Sequence, residues 1–207
     1  MLFSLPWSAA LALLPLTALA QQAPQFYVGA SAGLVRFAPF ETYAATQLGP
    51  AATVGVQLSS RWAVETSAQL SWRQDAYHYR SIDPSYIATS AANYTTLILP
   101  LLARYSFTAP RARLRIDGLG GISWVHSATR VQYTPATTGQ AAVDDSHYSG
   151  NSAAVVVGPQ VRYALGSALE VKLNVPFNLA VLGNNEGNFR EQSFLSPQIG
   201  VQYTFAH

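Results

Sequence analysis

The chain has 207 residues and a net charge of +2; 49% of its residues are hydrophobic, only 11% are charged, and none is cysteine. A charge of +2 is too weak to argue for nucleic acid, and the missing cysteine excludes disulfides, thiolate metal sites and a lipoprotein anchor. Globular domains carry about 25% charged residues, so this chain is built for an unusually apolar setting.

Residues 1–20 read as a signal peptide. Ala9 to Leu16 is an apolar core, Ala18-x-Ala20 is the small-x-small pattern of a cleavage site, and Gln21-Gln22 opens a polar chain. The expected organisation is therefore signal peptide 1–20 and one domain over 21–207. Past the signal, the longest apolar candidate is Ala91 to Ala103, which contains Asn93 and Pro100 and stops at Arg104. A spanning helix needs about 20 residues. An exported, low-charge chain without such a helix points to a barrel.

The strands announce themselves by a period of two. Phe26 to Leu34 sets Gly29, Ser31 and Gly33 against Val28, Ala30, Ala32 and Leu34, and small inward residues suit a narrow barrel filled from elsewhere. Ala38 to Gly49 reads as a loop closed by the Gly49-Pro50 breaker, and Thr53 to Leu58 alternates again. After the tight turn Ser59-Ser60-Arg61, the run Trp62 to Arg73 places Trp62, Val64, Thr66, Ala68, Leu70 and Trp72 on one face. At about 3.3 Å per residue and a tilt of about 40°, the two tryptophans lie about 25 Å apart along a membrane normal, the spacing of two aromatic girdles.

Residues 75–93 read as a long, Tyr-rich loop, followed by a strand from Tyr94 to Phe107 in which Ile98 and Leu102 are apolar exceptions on the inward face. Strand five begins at Arg113, and the Gly118-Leu119-Gly120-Gly121 run predicts a bulge or bend. Residues 130–150 read as the next long loop. Strands Ala153 to Tyr163 and Leu169 to Leu179 flank the turn Leu165-Gly166-Ser167, and a loop over 183–190 precedes the closing strand, Ser196 to Phe205. That makes eight strands whose connections alternate long and short. The predicted fold is all-β: an eight-stranded antiparallel up-and-down transmembrane β-barrel with both termini on the short-turn side.

The segment Leu97-Ile98-Leu99-Pro100-Leu101-Leu102-Ala103-Arg104-Tyr105-Ser106-Phe107 resembles the middle strand of the outer-membrane β-barrel domain family common in Bacteroidetes-type bacteria. Tyr27-x-Gly29-x-x-x-Gly33 and Gly200-x-x-Tyr203-x-Phe205 look like the same family's first and last strands. The resemblance implies a small barrel of the OmpA/OmpX/opacity type in the outer membrane of a Gram-negative bacterium. Its partners would be outer-membrane lipid, lipopolysaccharide and the barrel-assembly machinery. Such barrels usually finish on an aromatic residue, whereas Ala206-His207 follows Phe205 here.

Projecting the inward positions gives a lumen network of Glu65, Arg73, Arg104, Arg113, Arg115, Asp117, Arg162, Glu170 and Lys172, with Gln69, Gln160, Gln198 and Gln202 among them and Asp75 at the rim. Eight strands leave room only for side chains, so these charges must pair. The reading is a structural network, with a gated ion pathway as the alternative. Trp62, Trp72, Tyr105, Tyr203 and Phe205 are the expected interface aromatics.

No catalytic, cofactor or metal residues are expected: His78, His126, His147 and His207 lack ligand spacing. Lipid A-modifying barrel enzymes use a rim His with a Ser. His126-Ser127 with Glu65 or Asp117, or His78 with Ser81, matches that only loosely, since the position two after His126 is Ala128. A soluble lipocalin-like barrel binding a small apolar ligand is the competing class. The surface expected to meet an extracellular ligand or partner is loops 75–93 and 130–150, with Tyr77, His78, Tyr79, Tyr86, Tyr133, His147 and Tyr148.

Overall fold

The computed structural model describes residues 24–39, 45–80, 87–135, 144–182 and 193–205. The expected signal peptide, Ser81, Tyr86, the expected loop over 183–190 and Ala206-His207 lie outside the described residues.

Ten strand segments follow one another: β1 (Gln25–Phe37), β2 (Thr46–Gln57), β3 (Trp62–Arg80), β4 (Ile87–Ser106), β5 (Leu114–Pro135), β6 (Asp144–Ala164), β7 (Leu169–Asn174), β8 (Phe177–Leu182), β9 (Ser193–Leu195) and β10 (Gln198–Thr204). β7 with β8 and β9 with β10 each make a single stave, so the wall has eight. Each stave pairs antiparallel with its sequence neighbour, and β10 closes on β1 from Tyr27↔Thr204 to Gly33↔Gln198. Closure leaves the membrane band without an edge, which is what a bilayer requires of strands.

Along the wall, apolar residues face out and polar ones in. Val54, Trp62, Leu70, Trp72, Leu101, Ile122, Val157, Leu173, Ile199, Val201, Tyr203 and Phe205 are exposed, while Gln69, Arg104, Asp117, Gln160, Arg162, Lys172 and Gln202 are buried. A lipocalin has the opposite sense, apolar inside, so the soluble reading fails on this observation. Trp62 packs on Tyr105 (4.9 Å) and Tyr105 on Phe107 (5.3 Å), and Tyr203 packs on Phe205 (5.3 Å), forming the girdle at the short-turn end.

Several expected boundaries move. β2 begins at Thr46, so Gly49-Pro50 lies inside a strand. Pro50 is tolerated because it is exposed and its stretch of the β2–β3 ladder is unpaired, the register passing from Leu48↔Trp72 to Ala51↔Gln69. The expected bulge at Gly118–Gly121 is absent: residues 117–121 pair one-to-one with both neighbours. The phase looked ambiguous because Leu119 is an inward apolar residue, packed with Leu102 and Val156.

Strand seven is interrupted at Val175-Pro176, and the last stave at Ser196-Pro197. The two breaks are stitched by Ser196 N–H donating to the Pro176 carbonyl and Leu34 N–H donating to the Pro197 carbonyl. The largest departure concerns the loops at 75–93 and 130–150. Most of both is strand: the ladders run on to Arg80↔Ile87 and Tyr133↔Asp144. Outside lipid the alternation is polar against polar, which hides the strand from a hydrophobic-period reading.

Candidate functional site

Two places carry candidate chemistry, the lumen and the outward extension of β3 to β6. The lumen begins with Tyr27, an inward residue of β1 that is 2% exposed. Gly55 makes room for it: a side chain there would collide with the Tyr27 ring. The Tyr27 hydroxyl donates to Glu65 Oε2 at 2.7 Å, and the Arg104 guanidinium lies 4.9 Å from the ring centre. Arg104 Nη1 also reaches Glu65 Oε2 at 3.3 Å, and its Nη2 donates to Gln57 Oε1 at 2.7 Å. Beside this group, Arg162 donates to Asp117 through Nε (2.6 Å) and Nη2 (3.2 Å), and to Glu170 through Nη1 (2.9 Å). Arg115 Nη1 meets the other Glu170 oxygen at 3.1 Å.

Further along, Lys172 donates to Thr53 Oγ1 at 2.9 Å, and Gln198 Nε2 donates to Gln69 Oε1 at 2.8 Å. Small inward residues of β1 leave this room. A side chain on Gly33 would meet Gln69 and Gln198, and one on Gly29 would lie 3.6 Å from Lys172 Nζ. Beyond lies an apolar layer of Val35, Ile98, Val125, Ala154 and Phe194, with Phe37 against it. Past that layer Arg73 and Asp75 pair at 2.6 Å, lining an outer cavity of about 410 Å³ with Gln47, Tyr94 and Thr96.

Of the nine residues expected in the lumen network, Glu65, Arg104, Asp117, Arg162, Glu170 and Lys172 are buried inside, Arg115 stands half-buried at the inner mouth, and Arg73 sits at the outer rim. Arg113 is a correction. It is exposed at the turn before β5, because that strand starts one residue later, at Leu114. Tyr27 and Asn178 were missed. Asn178 Nδ2 donates to Ser196 Oγ at 2.9 Å beside the two proline breaks. Beyond its place in the first-strand resemblance, Tyr27's sequence signal was the small residue at Gly55, which leaves a slot in the wall.

The His126 reading comes apart in space, and the His78–Ser81 reading falls on Ser81, outside the described residues. His126 stacks on Trp124 at 5.8 Å, on the outward face of β5, with Nδ1 2.9 Å from Asn151 Oδ1. Glu65 and Asp117 are buried in the lumen, so neither is its partner. Among the described residues no group of three His, Asp or Glu could hold a metal ion.

The outer site is a four-stranded extension. β3, β4, β5 and β6 have 19, 20, 22 and 21 residues, against 13 and 12 for β1 and β2. From Ala128, in register with Trp72 through Thr95, to Tyr133, β5 climbs roughly 13 Å further at about 3.3 Å per residue and a tilt of about 40°. Arg130 grips Asp145 there: Nε lies 2.9 and 3.0 Å from the two carboxylate oxygens, and Nη2 also donates. The Arg130 hydrogen bond holds the Asp145 carboxyl below its ordinary range, with the charges of Arg130 and His147 acting the same way. Tyr148 is 65% exposed close by.

A model of the outer membrane protein beta-barrel domain matches residues 7–205. Among solved structures, the chain is similar to Ail, the attachment invasion locus protein of Yersinia pestis, in complex with the heparin analogue sucrose octasulfate. The TM-score is 0.54 at 11% identity, over 88% of this chain and 97% of that one. A major outer membrane protein of Thermus thermophilus also scores 0.54, at 13% identity, over 89% and 100%. OprG of Pseudomonas aeruginosa scores 0.52, at 12% identity, over 91% and 99%. At such identities the likeness shows the fold. No curated protein sequence matches the chain.

Proposed function

Because the chain belongs to the outer membrane protein beta-barrel domain family, and is an integral outer-membrane barrel, we propose that it is non-enzymatic and works as a surface-interaction protein through the β3–β6 extension. The observation that carries this reading is that four strands stay paired far beyond the outer girdle, as far as Arg80↔Ile87 and Tyr133↔Asp144. A barrel with a purely structural task needs only enough strand to cross the membrane. Paired strands fix the orientation of Arg130, His147 and Tyr148, so a partner meets a preformed surface at low entropic cost. On this reading the chain is exported with removal of residues 1–20, is inserted by the barrel-assembly machinery, and stands among lipopolysaccharide.

Support for a non-enzymatic role comes from His126, which is engaged by Trp124 and Asn151 on the outward face while Glu65 and Asp117 are buried in the lumen. The test is a chain whose outer hairpins are cut back to the girdle, compared with the full chain for adhesion of expressing cells to immobilised sulfated polysaccharide and to host-matrix protein. Loss of adhesion with the barrel still inserted supports the proposal. Unchanged adhesion together with a leakier envelope would instead assign the chain an envelope-structural role. A change in lipid A mass spectra on expression would overturn the non-enzymatic reading.

A further inference from the structure

Gln160 is fully buried, yet neither end of its amide has a hydrogen-bond partner, and Asn174 Oδ1 and Gln202 Oε1 are in the same position. Register puts them on one patch of inner wall: Gln160 lies opposite Asn174, Arg162 opposite Lys172, and Gln202 opposite Glu170. Lys172 completes the patch. It is 1% exposed, its hydrogen bond is to Thr53, and among the described residues no carboxylate lies within 4.0 Å of its ammonium. An ammonium has three donors, so two remain.

Buried amides of this kind are ordinarily satisfied by internal water. Arg162 and Gln202 of the patch line a cavity of about 290 Å³ at the inner mouth, together with Tyr27 and Arg115, and deeper in Thr53 and Asn174 line a void of about 10 Å³. On the other side the apolar layer of Val35, Ile98, Val125, Ala154 and Phe194 blocks the way out. The formal charges are unequal: Arg104, Arg115, Arg162 and Lys172 face Glu65, Asp117 and Glu170, leaving one positive charge over.

We propose that the inner half of the lumen is a blind, hydrated chamber, open on the short-turn side, that admits small inorganic anions toward Lys172. Water there donates to the amide oxygens of Gln160, Asn174 and Gln202 and accepts from Lys172 and Gln160 Nε2. A chloride-sized anion takes a water's place beside the ammonium. The apolar layer makes the chamber a dead end, so anions enter and leave by the same mouth.

The chain has no cysteine, so single replacements report cleanly. Gln202→Cys at the mouth and Gln160→Cys within are reconstituted in vesicles whose orientation is established by protease cleavage of the outer hairpins. Each is reacted with ethyl methanethiosulfonates of similar size, one bearing a sulfonate and one a trimethylammonium. The expected result is modification from the inner side only, with the sulfonate favoured by roughly three-fold or more once each rate is divided by that reagent's rate with a small free thiol, the effect of one uncompensated charge several ångströms away in water. Adding Lys172→Met to Gln202→Cys should remove most of that preference. Absence of reaction at Gln202→Cys, equal rates from the outer side, or a preference for the cationic reagent would overturn the proposal. Gln202→Cys carries the test if Gln160→Cys fails to fold.

Discussion

Tyr27 and Arg104 share one oxygen: the Tyr27 hydroxyl donates to Glu65 Oε2 at 2.7 Å, and Arg104 Nη1 approaches the same atom at 3.3 Å. Two donors on one buried carboxylate oxygen tie β1, β3 and β4 together across the lumen. Tyr27→Phe should therefore lower barrel stability by about 1.5–3 kcal/mol, the range for a hydrogen bond to a charged group. Urea unfolding in lipid vesicles measures it. Gly55→Val should cost at least as much, because its side chain occupies the space of the Tyr27 ring.

The Arg104–Glu65 pair is almost fully buried, at 1% and 3% exposure. Removing one partner strands a charge, which costs about 3–5 kcal/mol, whereas removing both strands none. Glu65→Gln and Arg104→Met should each be severe alone. The double variant should be less destabilised than the sum of the two, read by the same unfolding experiment as a coupling energy.

Charge on the lipid face provides a second contrast. Leu101 is 53% exposed on the outer wall, and Leu114 stands at the start of β5 with 51% exposure. Leu101→Arg, deep in the band, should cost about 2–4 kcal/mol, and Leu114→Arg, near the inner interface, about 0–1 kcal/mol. Equal effects at the two positions would contradict the placement of the band.

The outer extension should respond to acid. Asp145 is held below its ordinary carboxylate range, first by the Arg130 hydrogen bond, so its contribution to hairpin order is present above the unfolded value. It is lost as pH falls through the lower, folded value. Amide protection factors of residues 128–131 and 145–148, the exchange referred to the intrinsic rate at each pH, should fall below about pH 4 and in high salt, since the pair is exposed to solvent. Asp145→Asn should give that faster exchange at every pH.

The barrel was legible because lipid imposes one rule on every stave: alternate, with the apolar side out. Leu169 to Leu173 obey it without exception, and Trp62 to Trp72 do so except for Ala63 inward and Thr66 outward. Where lipid ends, the rule ends, so the strands over 75–80, 87–93, 130–135 and 144–150 read as loop. Proline misled in both directions. Pro50 pairs with Ala32 on one side, faces an unpaired stretch of the β2–β3 ladder on the other and breaks nothing, while Pro176 and Pro197 lie at the stitched breaks that split two staves. Inward charges could be counted from sequence, but their partners could not. Glu170 serves both Arg162 and Arg115, and Lys172 reaches Thr53 across 119 positions of chain. Asn178 gave almost no signal, and Tyr27 only its place in the first-strand resemblance, since an inward Tyr or Asn looks like any other alternating residue.

The central claim is that the apolar face of each stave meets lipid while the opposite face packs the lumen. The most direct measurement is a nitroxide scan of positions 64–72 in bilayers, comparing collisions with oxygen, which concentrates in lipid, and with a water-soluble nickel chelate. The structure exposes Leu70 and Trp72 and buries Glu65, Gln69 and Ser71. Oxygen collisions should therefore peak at 64, 66, 68, 70 and 72 with a period of two, and nickel collisions should stay low throughout. Oxygen maxima at the odd positions, or free access of nickel to 66, 68 and 70, would contradict the account.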